Sequence, residues 1–107
     1  MNLVKASGTI GNYIFRSTLP SGTSKIEFTL IVESNTMKDS KTNKKQVSYV
    51  NCQAFGKTAV GLSKVVANGR QLNITKGELK TTFKQTDDKA DYRTSIIVQE
   101  FLFKATS

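Results

Sequence analysis

Histidine and tryptophan are absent from this 107-residue chain, cysteine and proline occur once each, and acidic residues number half the basic ones. Each shortage excludes something. Without histidine, and with Cys52 as the one thiol, the nitrogen and sulfur ligand sets of zinc sites cannot be assembled. One cysteine closes no disulfide within the chain, which suits a reducing compartment. The acids are scattered, apart from Asp87, Asp88 and Asp91, which sit in a polar run suited to a solvated turn. A metal-dependent nuclease needs clustered carboxylates and a cation beside the scissile phosphate. Neither an enzyme activity nor a cofactor is therefore expected. No stretch approaches the length of an apolar membrane span, and Met1–Ser7 lacks the continuous apolar run of a secretory signal. A cytoplasmic protein without a membrane partner is the expectation.

What the chain has in quantity is positive charge: 16 Lys and Arg against 8 Asp and Glu, a formal net charge of +8. Net charge says nothing about fold, but it favours an anionic partner, nucleic acid ahead of an acidic surface. Hydrophobic residues make up 37% of the chain, enough for one modest core. Residues 1–107 are accordingly read as a single domain.

The most informative stretch runs from Gln46 to Lys57. Side chains alternate across a strand, so Val50, Cys52 and Ala54 form a small apolar face, with Cys52 a buried hydrophobe rather than a reactive thiol. Val47, Tyr49, Asn51, Gln53 and Phe55 form the other. A buried face has no use for two amides, and a solvated face has little use for two aromatics. A face that stacks bases and hydrogen-bonds their edges uses both. Asn51 and Gln53 could equally bond bases or tolerate water between strands.

The remaining segments supply neighbours for this strand. Asn2–Phe15 reads as a strand bent at Gly8 or Gly11, as small barrels require; Tyr13 and Phe15 are assigned to barrel or subunit packing. Ser17–Thr23, with Pro20, is a turn. Lys25–Ser34 alternates cleanly, with Ile26, Phe28, Leu30 and Val32 on one face. Asn35–Lys45 reads as a solvated hairpin loop, a cationic finger carrying Lys38, Lys41, Lys44 and Lys45. Ala59, Leu62, Val65 and Val66 recur at helical spacing, and Asn68-Gly69 would stop the helix. Arg70–Lys76 is a strand, Gly77 a bend, Glu78–Lys84 its continuation, Gln85–Asp91 a polar tip, and Tyr92–Phe103 the return. Ile96–Val98 and Phe101–Phe103 are apolar on both faces, which suits subunit contact. Five strands with one short helix between the third and fourth is the order of the OB-fold, an all-β Greek-key barrel used for oligonucleotides.

The residues themselves resemble the bacterial and phage single-stranded DNA-binding proteins. Asn2-Leu3-Val4 with Gly8-Thr9-Ile10-Gly11 is similar to the family's opening strand, and Pro20-Ser21-Gly22-Thr23 to its P-x-G turn. Glu27-Phe28-Thr29-Leu30-Ile31-Val32 is similar to its F-T-L-A-V strand. Tyr49-Val50-Asn51-Cys52-Gln53-Ala54-Phe55-Gly56-Lys57-Thr58-Ala59 is similar to its most specific segment, W/F-x-N-C-x-A-W/F-G-K-x-A. Lys76-Gly77-Glu78-Leu79 is similar to its E-G-x-L step. The resemblance implies an OB-fold, sequence-independent binding and protection of single-stranded DNA in replication, recombination or repair, and a homo-oligomer, usually a tetramer. It implies stacking by Tyr49 and Phe55. Phe83 lies at or one residue from a third aromatic position, and a bulge would be needed to bring it to the same face. Met37 falls near a fourth position, where this sequence has no aromatic. The sequence stops without the acidic tip by which cellular members recruit replication and repair enzymes: either it is a truncated form of a longer protein or it is a compact phage or plasmid type acting in the host cytoplasm, and the second is the expectation.

Phosphate contacts are assigned to Lys38, Lys41, Lys44, Lys45, Lys57, Lys80, Lys84 and Arg93, each weighed against an ordinary solvated cation. The alternative function is that of a primosomal or recombination accessory OB protein, an adaptor with weak DNA affinity and tight protein binding. A virion or scaffold barrel would instead use Tyr49 and Phe55 as a protein interface.

Overall fold

Period-two alternation of apolar and polar residues builds five long strands, and the one segment with helical spacing interrupts them. In the computed structural model they are β1 (Val4–Thr18), β2 (Ser24–Asp39), β3 (Thr42–Phe55), β4 (Gln71–Thr86) and β5 (Lys89–Phe103), with α1 (Gly56–Val65) between β3 and β4. The structure describes residues 3–39 and 42–103, and side chains outside 34–46. The strands close into a barrel in the order β1-β2-β3-β5-β4. Neighbours are antiparallel except β3 and β5, which run parallel from Asn51 opposite Ser95 to Gln53 opposite Ile97. This is the expected OB-fold.

Alternate residues in the first part of β2 and the last part of β3 enter the core. Ile26, Phe28 and Leu30 meet Cys52 and Ala54 from β3, Leu72 and Ile74 from β4, Ile96 and Val98 from β5, and Ile10 from β1. Ala59 and Leu62 of α1, with Val66 just after it, are buried in the same cluster. Gly61 lies 3.6 Å from the Phe101 ring at the point where a Cβ would stand, so a residue that weakens the isolated helix lets it sit close to β5.

Closure depends on β1 pairing with both β2 and β4. Its register shifts between Ile10 and Ile14, and Thr9 is opposite both Ile31 and Gln71. Gly8 sits at this crossing: a Cβ there would overlap the backbone carbonyl oxygen of Ile31. Gly77 plays the same part on β4, where a Cβ would come 2.9 Å from Ile96 Cγ2 and 3.1 Å from the Ile97 carbonyl oxygen. Since backbone cannot swing aside as a side chain can, Gly8→Ala should lower stability by about 1–3 kcal/mol. Chemical denaturation should show this as a lower midpoint with an unchanged slope; an unaltered midpoint would remove the crossing argument.

Three boundaries differ from the expectations. Asn35–Lys45 is not a loop: β2 and β3 stay paired to Asp39 opposite Thr42. Likewise β4 and β5 pair beyond Gln85, to Thr86 opposite Lys89, leaving Asp87 and Asp88 as the turn. Backbone bonds need no apolar partner, so an apolar pattern underestimates the ribbon. At Gly77, as expected, β4 continues through an irregularity, with register shifts between Ile74 and Gly77. The helix ends at Val65 rather than at Asn68-Gly69. Val66 is extended and buried, and the Gly69 N–H donates to the Ile10 carbonyl at 2.7 Å rather than capping the helix.

Cys52 is fully enclosed in the core. Burial pushes its thiol up from 9.0 to about 12, because a thiolate there would lose its hydration. The sign follows. The unfolded chain releases this proton near pH 9 and the folded chain only near 12, so the contribution is intact below pH 9 and declines between those values. The native protein should resist iodoacetamide at pH 8 and react fully once unfolded. Rapid labelling of the native state would contradict the assignment of Cys52 to packing.

Candidate nucleic-acid interface

The outer face of the barrel is built by the residues that alternate with the core. On β3 these are Val47, Tyr49, Asn51, Gln53 and Phe55, and their β2 neighbours are Glu33, Ile31, Thr29, Glu27 and Lys25. Tyr49 is 74% exposed and lines a cavity of about 380 Å³ together with Tyr13, Glu27, Thr29, Asn51 and Arg93. Phe55 shares its face but lies six residues along the strand, about 20 Å away at the usual rise. It is half-buried at the start of α1, with Lys25 Nζ 5.7 Å from its ring centre. Tyr49 and Phe55 therefore address different positions along a ligand.

The amides separate in role. Asn51 Nδ2 donates to Ser95 Oγ at 2.8 Å, a bond that ties β3 to β5 at their parallel junction. Its carbonyl oxygen and its second amide N–H are what it has left for a ligand. Gln53, half-buried, stands opposite Glu27 on one side and Ile97 on the other.

The β4–β5 ribbon carries the cations. Residues 77 to 86 pair with β5 without a register shift, so strict alternation holds to the tip. Thr82, Lys84, Asp91 and Arg93 line one shallow hollow, and Arg93 also reaches the Tyr49 cavity. Lys80, which alternates with Thr82 and Lys84, belongs to the same face. Arg93 Nε is 3.8 Å from Asp91 in a pair open to solvent, too exposed to hold the arginine in place. Lys57 is exposed in the first turn of α1, beyond Phe55.

Phe83 is not on this face. It pairs with Tyr92, ring centres 4.8 Å apart, on the side continuous with Leu79 and the core residue Ile96. The bulge needed to turn it outward is missing between Gly77 and Thr86. The two rings, 53% and 67% exposed, shield each other instead. Of the other candidates, Lys41 lies outside the described residues. Lys38, Lys44 and Lys45 lie on the β2–β3 ribbon, and their side chains, like that of Met37, are outside the described set.

The sequence assigns Tyr13 and Phe15 to barrel or subunit packing, and the structure excludes the barrel half of that reading. Neither Tyr13 nor Phe15 enters the core, and Tyr13 stands in the Tyr49 cavity. Glu27 and Thr29 join it, though neither was singled out. The outward half of the β2 alternation was the available signal; the irregular register of β1 concealed Tyr13.

A model of the single-strand binding protein family matches residues 1–104. The chain belongs to that family. A single-stranded DNA-binding protein of Clostridium perfringens is 32% identical over 84 residues, covering 78% of this chain and 51% of that protein. The chain thus spans about half the length of this relative. Among solved structures, the Plasmodium falciparum SSB in complex with ssDNA superposes with a TM-score of 0.86 at 20% identity, covering 98% of this chain and 96% of that one. A small single-stranded DNA-binding protein from Streptomyces coelicolor gives 0.76 at 16% identity, covering 95% and 93%. The single-stranded DNA-binding protein of Thermus aquaticus gives 0.84 at 14% identity, covering 98% of this chain and 50% of its own. At these identities the superpositions establish the barrel as the single-strand binding family fold. Among the described residues no helix is long and apolar enough to cross a membrane, and no group of acids and cysteine could hold a metal ion.

Proposed function

We propose that this single-strand binding family member binds and protects single-stranded DNA, stacking bases on Tyr49 and Phe55 and drawing phosphates to Lys80, Lys84, Arg93, Lys57 and the cations of the β2–β3 ribbon. The observation that carries the reading is the exposure of Tyr49 in a polar cavity that Arg93 links to the cationic face of the β4–β5 ribbon. Every base has a π-face, so stacking at Tyr49 works for any sequence. Bases in a duplex are already stacked on each other and cannot reach it. Counterion release from the phosphates adds affinity that salt removes, with a slope of about −0.7 per contact. Nothing in the site asks for a bond to be made or broken. The setting is a cytoplasm where single strands arise during replication, recombination or repair.

The test is a titration with oligo-dT and with a matched duplex at two salt concentrations. Tight, salt-sensitive binding to dT with weak duplex binding supports the reading, and a slope of about −2 or steeper corresponds to three or more phosphate contacts. Equal affinity for both forms would sink it.

A homo-oligomer is part of the same proposal. Ile96, Val98, Phe101 and Phe103 turn to the barrel's own core, so the half-buried Ile97 and the exposed Leu102 are what that run leaves to meet a second copy. Sedimentation equilibrium should give a mass above that of one chain, and a monomer at all concentrations would remove this part.

A further inference from the structure

The Tyr49 cavity holds more than stacking requires. Resting on the reading of the chain as a single-strand binder, we propose that the cavity shared by Tyr13 and Tyr49 takes one base and prefers guanine, through Glu27 and Arg93.

Two aromatics frame a space of about 380 Å³, ample for one base. The rest of its lining is polar and mixed in charge: Arg93 suits a phosphate or a base edge, whereas Glu27 disfavours a phosphate. Glu27 contributes a carboxylate whose Oε1 is held by Lys25 Nζ at 2.9 Å and whose Oε2 has no partner among the described residues. An ionised carboxylate only accepts hydrogen bonds. It repels the backbone of DNA and selects donors on a base edge. Asn51, with one Nδ2 hydrogen given to Ser95, adds a carbonyl acceptor and one further N–H donor to the same wall.

Among the four bases guanine matches this best. Its N1–H and N2–H₂ groups are adjacent donors, whereas thymine has one N–H between two carbonyls, and cytosine and adenine set their amino group beside a ring acceptor. Guanine also presents O6 and N7, the usual partners of an arginine fork, and Arg93 lines the cavity with nothing but an exposed 3.8 Å ion pair to give up. The preference is modest because the groove is open to water, and it sits on top of general binding.

The experiment compares alternating dG/dT oligonucleotides with alternating dI/dT ones, in lithium buffer to suppress quadruplexes. Inosine lacks only the N2 amino group, so stacking, charge and length are matched. The protein should bind dG/dT about 5-fold more tightly than dI/dT. Glu27→Ala should bring that ratio to about 1 while binding dT more tightly, since the acceptor and a negative charge both leave the groove. Tyr13→Ala should weaken both oligonucleotides, and Tyr13→Phe should restore them. Equal affinity for dG/dT and dI/dT in the unaltered protein, or a ratio that survives Glu27→Ala, would overturn the guanine pocket and leave single-strand binding standing. No binding to any single strand would overturn the reading beneath it.

Discussion

Phe28→Ala should cost about 3–5 kcal/mol of folding stability, the typical loss for a large aromatic cut back in a closed core. Phe28 is the largest fully buried side chain, and it sits at the middle of the barrel, opposite Ile14 on β1 and Cys52 on β3. Closed strands cannot collapse onto the vacated space without breaking the pairing that closes them, so the cavity term is expected at the high end. A small domain has about 5–15 kcal/mol in hand, and the variant would sit near the edge of folding. Tyr49→Ala is the matched control. Its ring is on the outer face of the next strand, and its removal should shift stability by no more than about 0.5 kcal/mol. Urea titrations of the two variants at one protein concentration make the comparison. If Phe28→Ala lost less than about 1 kcal/mol, the core would not be packed as described.

That contrast shows what alternation encodes. Burial with period two is a local property, so Ile26–Val32 and Val50–Ala54 declared their inward faces before any fold was known, and with them Tyr49, Asn51, Gln53 and Phe55 on the outer one. The same holds for Ala59 and Leu62 on the helix. What alternation does not encode is where pairing stops. The polar ribbons reach Asp39–Thr42 and Thr86–Lys89 because backbone hydrogen bonds need no apolar partner. Nor does it encode where parity resets. One irregularity between Ile10 and Ile14 accompanies Tyr13 in the Tyr49 cavity, and the lack of one beyond Gly77 leaves Phe83 on the other face. A helix stop at Asn68-Gly69 was overridden by tertiary bonding of Gly69 to Ile10. Each miss is a non-local event of one residue's register or one long-range bond.

The largest effect on DNA binding is expected at Tyr49. Stacking contributes about 1–3 kcal/mol per base, so Tyr49→Ala should weaken oligo-dT binding by roughly 5- to 150-fold, and Tyr49→Phe should keep most of the affinity. Phe55→Ala should lose less, since that ring is half-buried beside Lys25 and offers less of its face. Phe83→Ala should lose least, because the ring leans on Tyr92 away from the Tyr49 face. Salt separates stacking from charge. A stacking ring touches no phosphate, so Tyr49→Ala should lower affinity by the same factor at every salt concentration and leave the slope unchanged. Lys84→Ala should do the reverse, making the slope shallower by about 0.7 with a loss that fades as salt rises. The decisive measurement is the affinity of both variants across a salt series. Parallel lines for the wild-type protein and Tyr49→Ala, converging lines for Lys84→Ala, are what a stacking face beside a cationic ribbon requires. A shallower slope for Tyr49→Ala would mean that the tyrosine orders the phosphate contacts rather than holding a base, and the assignment of the outer face of β3 to stacking would fall with it.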